Sequence, residues 1–581
     1  MLSIRVIVSL LAAGLVAQSP APQPSPDTIY YNAHIVTMWA ERPIAEAMGI
    51  RGDRFIAVGS TADVRKLAGP GTREVDLAGR TVLPGLQDSH THPIAAALSE
   101  QDRPVPVMNS IPDILAHIRN LSDVTPPDGV IFVPKVYATR LAERRYPDRY
   151  ELDKAAPRQA AMTDNGYASV LNSVALKRLG IDHDTPQPPN GKIIKDSKKE
   201  PTGLILGAPQ LLGTLRRSKP VTQDDMIWAL KAMQQKYNEA GLTSTIDRSQ
   251  GPEGFRAYQS LRQQNQLTVR TAVTYLISGQ GSPDQVRQDI ERIPFVTGMG
   301  DEWFRVGPIK VVADGGILIG TAYLREPYGE HTAIYGYHDA EYRGVLSVPR
   351  ENLIEMARVA NRLGWQMTAH TTGGGATDAL LDAYEAANRD RPIADRRFTV
   401  THGNFPNPQA IERAKRLGVA FDAQPAWLHL DGPAIKDVFG PARMKDFLPL
   451  RSLFDAGVIV AGGSDHMIRF DSRTAINPYN PFFGMWMAIT RRLPDGTVLG
   501  TDQTVTREQA LRMWTLNGAW MTFEEKIKGS IEPGKLADMV VISKDFLGCP
   551  VDDIKDIDAL LTVVGGRVVY RNKAMPIASQ H

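Results

Sequence analysis

Cysteine is almost missing from this chain: 581 residues hold a single one, Cys549. One thiol excludes an internal disulfide, so stability has to come from packing and from any bound metal. A charge excess is missing as well, with 66 Lys plus Arg against 64 Asp plus Glu. That balance excludes a broad electrostatic surface for nucleic acid or an anionic membrane, and it points to a small-molecule substrate. Long apolar runs are scarce. The run after Arg5 in MLSIRVIVSLLAAGLVAQ covers about eleven residues, against the roughly 20 that a membrane-spanning helix needs. With small residues near Ala17 it predicts an export signal at 1–17 and a Pro-rich spacer at 18–26. The expected destination is the periplasm or the medium, with no membrane domain beyond that segment.

Length is plentiful, and 581 residues exceed what one ordinary core can organise. Residues 27–82 read as short alternating strands separated by Gly and Asp turns, and the tail from 529 to 570 has the same texture and can complete the same sheet. Between them apolar strands are followed by helical stretches, as in WQMTAH then ATDALLDAYEAANRD, and RFTVTH then NPQAIERAKRLG. Repeated strand-then-helix units favour a parallel sheet or a (β/α) barrel.

The chemistry concentrates at strand ends. In TVLPGLQDSHTHP an apolar run leads into His90 and His92, and alternate residues of a strand share a face, about 7 Å apart, which suits two ligands of one divalent cation. His370 ends GWQMTAH, His402 ends RRFTVTH and Asp465 ends GVIVAGGSD. In a barrel, strand C-termini converge on one axis, where active sites are built. Taken singly, each has a plain alternative: a buried histidine bonded to a carbonyl, or an aspartate capping a helix. Taken together, imidazoles and a carboxylate are the donor set of a divalent transition metal. Lys310 lies in FRVGPIKVVADGG; an inward lysine must be paired, deprotonated or modified, since burying a bare ammonium is costly, and otherwise it reaches back to solvent.

These segments resemble the amidohydrolase superfamily, within it the amidohydrolase-3 group that is similar to N-substituted formamide deformylases. The resemblance rests on PGLQDSHTHP, IKVVADGG, MTAHTTGGG, VTHGNF, DAQPAWL, AGGSDH, TLNGAW and GSIEPGKLADMVV, in that order. It implies an α/β protein: a distorted (β/α)8 barrel at 84–100 and 220–528, a small β-sandwich of both chain ends at 27–83 and 529–577, and an insertion at 101–219 after the first barrel strand. It implies two Zn2+ ions per chain. His90, His92 and Asp465 would hold one, His370 and His402 the other, and a carboxylated Lys310 would bridge them. A bound divalent ion brings the pKa of its water to roughly 7, and Asp465 would carry a proton from that water to the leaving amine. The implied reaction is hydrolysis of a non-peptide, amide-like carbon–nitrogen bond. Lactone or ester hydrolysis, or decarboxylation, stays open on the same centre, as does a secreted metal- or solute-binding protein without catalysis. A homodimer is compatible with the resemblance.

Some positions depart from the family pattern. TDNGYASVLNS has Tyr167 where many relatives have histidine; a phenol can donate to substrate but is a poor ligand. Gly374 replaces the acid of a His-x-x-Gly-Asp pattern, so a supporting carboxylate is expected to be missing. SDHMIRF sets His466 beside Asp465, as a substrate contact or a solvent-facing residue. Trp427 in QPAWLHL is a candidate aromatic wall for the substrate, and Asn477, Tyr479 and Trp486 suit a pocket or a subunit contact. The loop at 321–343, with five tyrosines, suits a lid over the reacting water or an ordinary surface loop.

Overall fold

The structure is a computed structural model that describes residues 25–188, 191–216, 220–337 and 339–575. The expected signal segment lies outside the described residues, and among these no helix is long and apolar enough to cross a membrane.

Eight parallel strands form the central sheet: β1 Leu86–Thr91, β2 Leu242–Gln250, β3 Arg270–Leu276, β4 Phe304–Val312, β5 Met367–Thr371, β6 Thr399–His402, β7 Ala420–Ala423 and β8 Val460–Gly462, in that spatial order. β1 and β6 to β8 are buried at every residue, as strands covered on both sides must be. The edges β1 and β8 approach each other beyond β8, where Asp465 N–H donates to the His90 carbonyl at 2.8 Å and His92 N–H to the His466 carbonyl at 3.0 Å. The closure requires glycine at 463, because a Cβ there would sit 2.8 Å from the His90 Cβ. The sheet is thus a nearly closed TIM-like barrel.

The helices that follow the strands are set by local chemistry. In Pro408–Leu417, Asn407 accepts the Ala410 N–H, Pro408 takes the first turn, and Gly418 ends the helix at φ +68. Ala410, Ile411, Ala414 and Leu417 bury one face. Each fully buried large apolar side chain is worth roughly 1.5–3 kcal/mol.

Two further sheets come from the chain ends. One runs Arg54–Gly59, Ala47–Arg51, Thr28–Tyr31, Arg73–Asp76; the other runs Arg567–Arg571, Ala559–Val564, Met539–Ile542, Thr81–Pro84, His34–Val36, Ile44–Ala45. They share one apolar core that includes Tyr30, Met48, Phe55, Val82, Met539 and Val563. Between β1 and β2 the chain builds a separate five-stranded sheet, ordered Lys192–Lys195, Pro201–Leu206, Ala168–Leu171, Ala160–Asp164, Val130–Pro134, with its own small cores.

Candidate metal centre

β1 carries His90 and His92 to the end of the barrel where β8 delivers Asp465. His90 is fully buried, and its Nδ1 donates to Asp422 Oδ2 at 3.0 Å. Its Nε2 therefore bears a lone pair, yet lies 3.2 Å from Asp465 Oδ1, in a contact not aligned as a hydrogen bond; among the described residues this buried nitrogen has no partner. The Nε2 of His92 stands 3.1 Å from the same oxygen. One ligand atom from each of the three residues lies within 4.8 Å of the others. A lone pair held against a carboxylate oxygen is repulsive unless a cation joins them, so the arrangement fits a divalent metal.

The electrostatics agree. Burial keeps the His90 imidazole neutral by pushing it well below its ordinary range. Burial by itself would raise the Asp465 carboxyl, but the charge that the His90 and His92 rings carry when protonated, with a hydrogen bond from His92, holds it well below the usual carboxylate range. A neutral imidazole next to an anionic carboxylate is the ligand form of both groups.

The second half of the site lies across the barrel axis. His402 Nδ1 donates to Gln424 Oε1 at 2.7 Å, and His370 Nδ1 donates to Asp314 Oδ1 at 3.1 Å. The His402 ring stands 4.8 Å from that of His90 and 4.6 Å from that of His370, so the four histidines form one group. Burial holds His402 down at about 3. Lys310, 3 % exposed on β4, lies close enough for its charge to act on both His90 and His402. Burial lowers its ammonium to about 8, bringing the neutral amine within reach near physiological pH. Asp465 and His402 hold left-handed backbone, at φ +57 and φ +72, a conformation that costs of order 1–3 kcal/mol and gathers at functional sites.

A model of the amidohydrolase family matches residues 73–570. The chain belongs to the amidohydrolase family. The N-substituted formamide deformylase of Arthrobacter pascens is 28 % identical over 564 residues, covering 94 % of this chain and 98 % of that protein. An uncharacterized metal-dependent hydrolase from Pyrococcus horikoshii shares the fold with a TM-score of 0.67 at 22 % identity, over 90 % of this chain and 99 % of that one. Atrazine chlorohydrolase from Arthrobacter aurescens TC1, solved in complex with zinc, does so with a TM-score of 0.53 at 15 % identity, over 94 % and 95 %.

In this amidohydrolase, ligand support comes largely from residues that sequence reasoning passed over. The carboxylate expected to be missing at Gly374 is supplied by Asp314, two residues beyond β4, which bonds His370 and accepts N–H groups from Thr372 at 2.9 Å, Gly373 at 2.8 Å and Tyr323 at 3.0 Å. Position 374 has no room for a side chain, since a Cβ there would come within 2.3 Å of the Arg325 guanidinium. Asp422 holds His90 while accepting from Ser89 Oγ at 2.6 Å, Gln424 Nε2 at 3.0 Å and Arg248, whose Nη2 is 3.1 Å away. Asn477 Nδ2 donates to the Asp465 carbonyl at 2.6 Å. The only sequence signal for Asp314 and Asp422 was an acid just after, or inside, an apolar strand.

The weaker candidates separate. Trp427 stacks on His402 at 4.9 Å and its buried Nε1–H has no acceptor among the described residues. His466 is fully buried rather than solvent-facing: Tyr237 Oη lies 3.2 Å from its Nδ1, and its Nε2 donates to the Arg469 carbonyl at 2.7 Å. Tyr167 faces Tyr342 in the 321–343 loop. Tyr479 packs against His466 and Tyr237, and Trp486 donates to Asp552 at 3.2 Å, so of the trio only Asn477 reaches the centre. The tyrosine loop is packed down, with Tyr328, Tyr335 and Tyr337 donating to the carbonyls of Ala322, Ile317 and Gly320.

Proposed function

We propose that this amidohydrolase is an exported enzyme that cleaves an amide-like, non-peptide carbon–nitrogen bond in a small molecule. One observation carries the reading: the unpartnered Nε2 of His90 and the Nε2 of His92 meet one oxygen of Asp465 at 3.2 and 3.1 Å. His90, His92 and Asp465 would hold one divalent ion, zinc by donor type, and His370 and His402 a second, with a carboxylated Lys310 between them. The metal supplies Lewis acidity and an activated water. The rest is done by side chains. Asp465 takes the proton of the attacking water and returns it to the leaving nitrogen as the C–N bond breaks, a transfer typically worth a factor of roughly 100–10,000. Asp422, Gln424 and Asp314 fix three imidazoles in the tautomer that keeps Nε2 free. Trp427 walls the site through its ring, stacked on His402. The formamide relative makes N-substituted formamides the first compounds to try.

The test is metal content and intact mass of the purified chain, wild type beside Lys310→Ala, followed by a panel of formamides, other amides, lactones and esters. Near two equivalents of metal, falling in the variant, with metal-dependent amide turnover, is the expected result. One equivalent indifferent to Lys310 would remove the bridged pair, and turnover confined to lactones or esters would remove the amide assignment.

A further inference from the structure

Next to this centre a cavity of about 390 Å³ opens between the inserted region and the loop that follows β8. Four cationic side chains line it, Lys135, Arg140, Arg469 and Arg473, and among the described residues no acidic one does. Two of the four are balanced elsewhere. Arg140 holds Asp431 through two nitrogens, at 2.9 and 2.7 Å, and Arg473 holds Asp558 at 2.8 Å.

The other two are held differently. Arg469 is 6 % exposed, donates only to the carbonyls of Thr474 and Pro106, and leaves its Nε without a partner among the described residues. Glu100 and Asp471 act on it by charge alone, since they accept backbone N–H groups, of Val105 and Phe470 and of Arg473 and Thr474, rather than its guanidinium. Lys135 stands just past the strand Val130–Pro134, in left-handed backbone at φ +59. The Tyr137 phenol acts on it most, in part through a hydrogen bond, followed by the charges of Asp465 and Asp164. The cavity also abuts the reaction. Arg140 Nη1 donates to Asn477 Oδ1 at 3.0 Å, and the same amide donates to the Asp465 carbonyl.

A half-closed cavity whose wall presents cations and, among the described residues, no acid attracts an anion, because low-dielectric walls focus the field. We infer that this cavity receives an anionic group of the substrate, a carboxylate, which pairs with Lys135 in the field of Arg469. The inference rests on the hydrolase reading above and narrows its substrate class to amides carrying negative charge on the side of the inserted region.

A matched pair of compounds tests it: N-formylphenylalanine and N-formylphenethylamine, which differ only by the carboxylate. Affinity is read as Kd by calorimetry on the metal-loaded protein, or as KM where turnover occurs. A charge-assisted pair should favour the anionic compound by roughly tenfold to a hundredfold. Lys135→Met should shrink that preference to within about threefold, Lys135→Arg should keep most of it, and added salt should erode it in the wild type. The salt series and the arginine variant keep the test decisive if the methionine variant fails to fold. Equal affinity for the two compounds, no binding of the anionic one, or a preference that survives Lys135→Met each overturns the subsite. Failure of the hydrolase reading looks different: the anionic compound still binds through Lys135, but no amide in the panel is turned over.

Discussion

At the residue scale the site is organised by what each histidine gives away. Three of the four donate Nδ1–H to a buried acceptor, Asp422, Gln424 or Asp314, and so present Nε2 to the centre. Asp314 does most for its size, since the same carboxylate also receives three backbone N–H groups. In Asp314→Asn the NH2 would face either the Gly373 and Tyr323 N–H groups or the Thr372 N–H and the His370 ring, and the His370 imidazole would lose a charged acceptor. Outer partners of this kind typically contribute 10–100-fold in metal affinity, so the variant should release metal to a competing chelator at roughly 10–100-fold lower chelator strength. Unchanged release would show that His370 does not need this support. The ligand candidates were legible because they end apolar strands; the supports were not, because His90 and Asp422 meet across a sequence separation of 332 residues.

At the element scale the loop after β8 does two jobs, delivering Asp465 and walling the cationic cavity. His466 pins it, buried between Tyr237, Tyr479 and the Arg469 carbonyl. Burial holds its imidazole down to about 4 in the folded chain, whereas an unfolded histidine titrates near 6.5. The depressed value means that the fold contains the neutral form. Above about pH 6.5 both states are neutral and stability is full; as pH falls from about 6.5 towards 4 the unfolded chain takes up a proton that the fold refuses, and stability declines. Thermal midpoints measured across that window should fall in the wild type and fall less in His466→Gln, whose starting midpoint is lower. Parallel curves for the two proteins would assign the acid sensitivity to other groups, such as the buried His90 and His402.

At the scale of the whole molecule, the chain ends are one structure. Met539–Ile542 lies between Ala559–Val564 and Thr81–Pro84, so a C-terminal strand completes an N-terminal sheet. Ile531, Met539, Val541, Leu561 and Val563 are at most 1 % exposed. At roughly 1.5–3 kcal/mol for each, their burial is of the same order as the 5–15 kcal/mol that holds a typical domain folded. Removal of residues 529–575 should therefore yield a chain that elutes as aggregate on size exclusion and lacks a cooperative melt. A soluble, cooperative truncation would show that the barrel stands without its terminal sheets.

The sequence by itself determined the strand-then-helix units and the strand ends that bear the chemistry, because side-chain alternation and apolar runs are local properties that act over a few residues; the barrel rather than an open parallel sheet came from the family resemblance. It also singled out Lys310 amid Val and Ile, while the choice between burial and reaching back to solvent fell to the structure, where it is buried. Only the tertiary structure decided that Asp314 stands in for the acid absent at Gly374, that His466 is locked inside the fold, and that the tyrosine loop is anchored. It alone set Lys135 of the inserted region in one cavity with Arg469 of the β8 loop. The physical reason is the same in each case: hydrogen bonds and fields depend on distance in space, and these partners are brought together by strand order and loop packing, which no short stretch of sequence encodes.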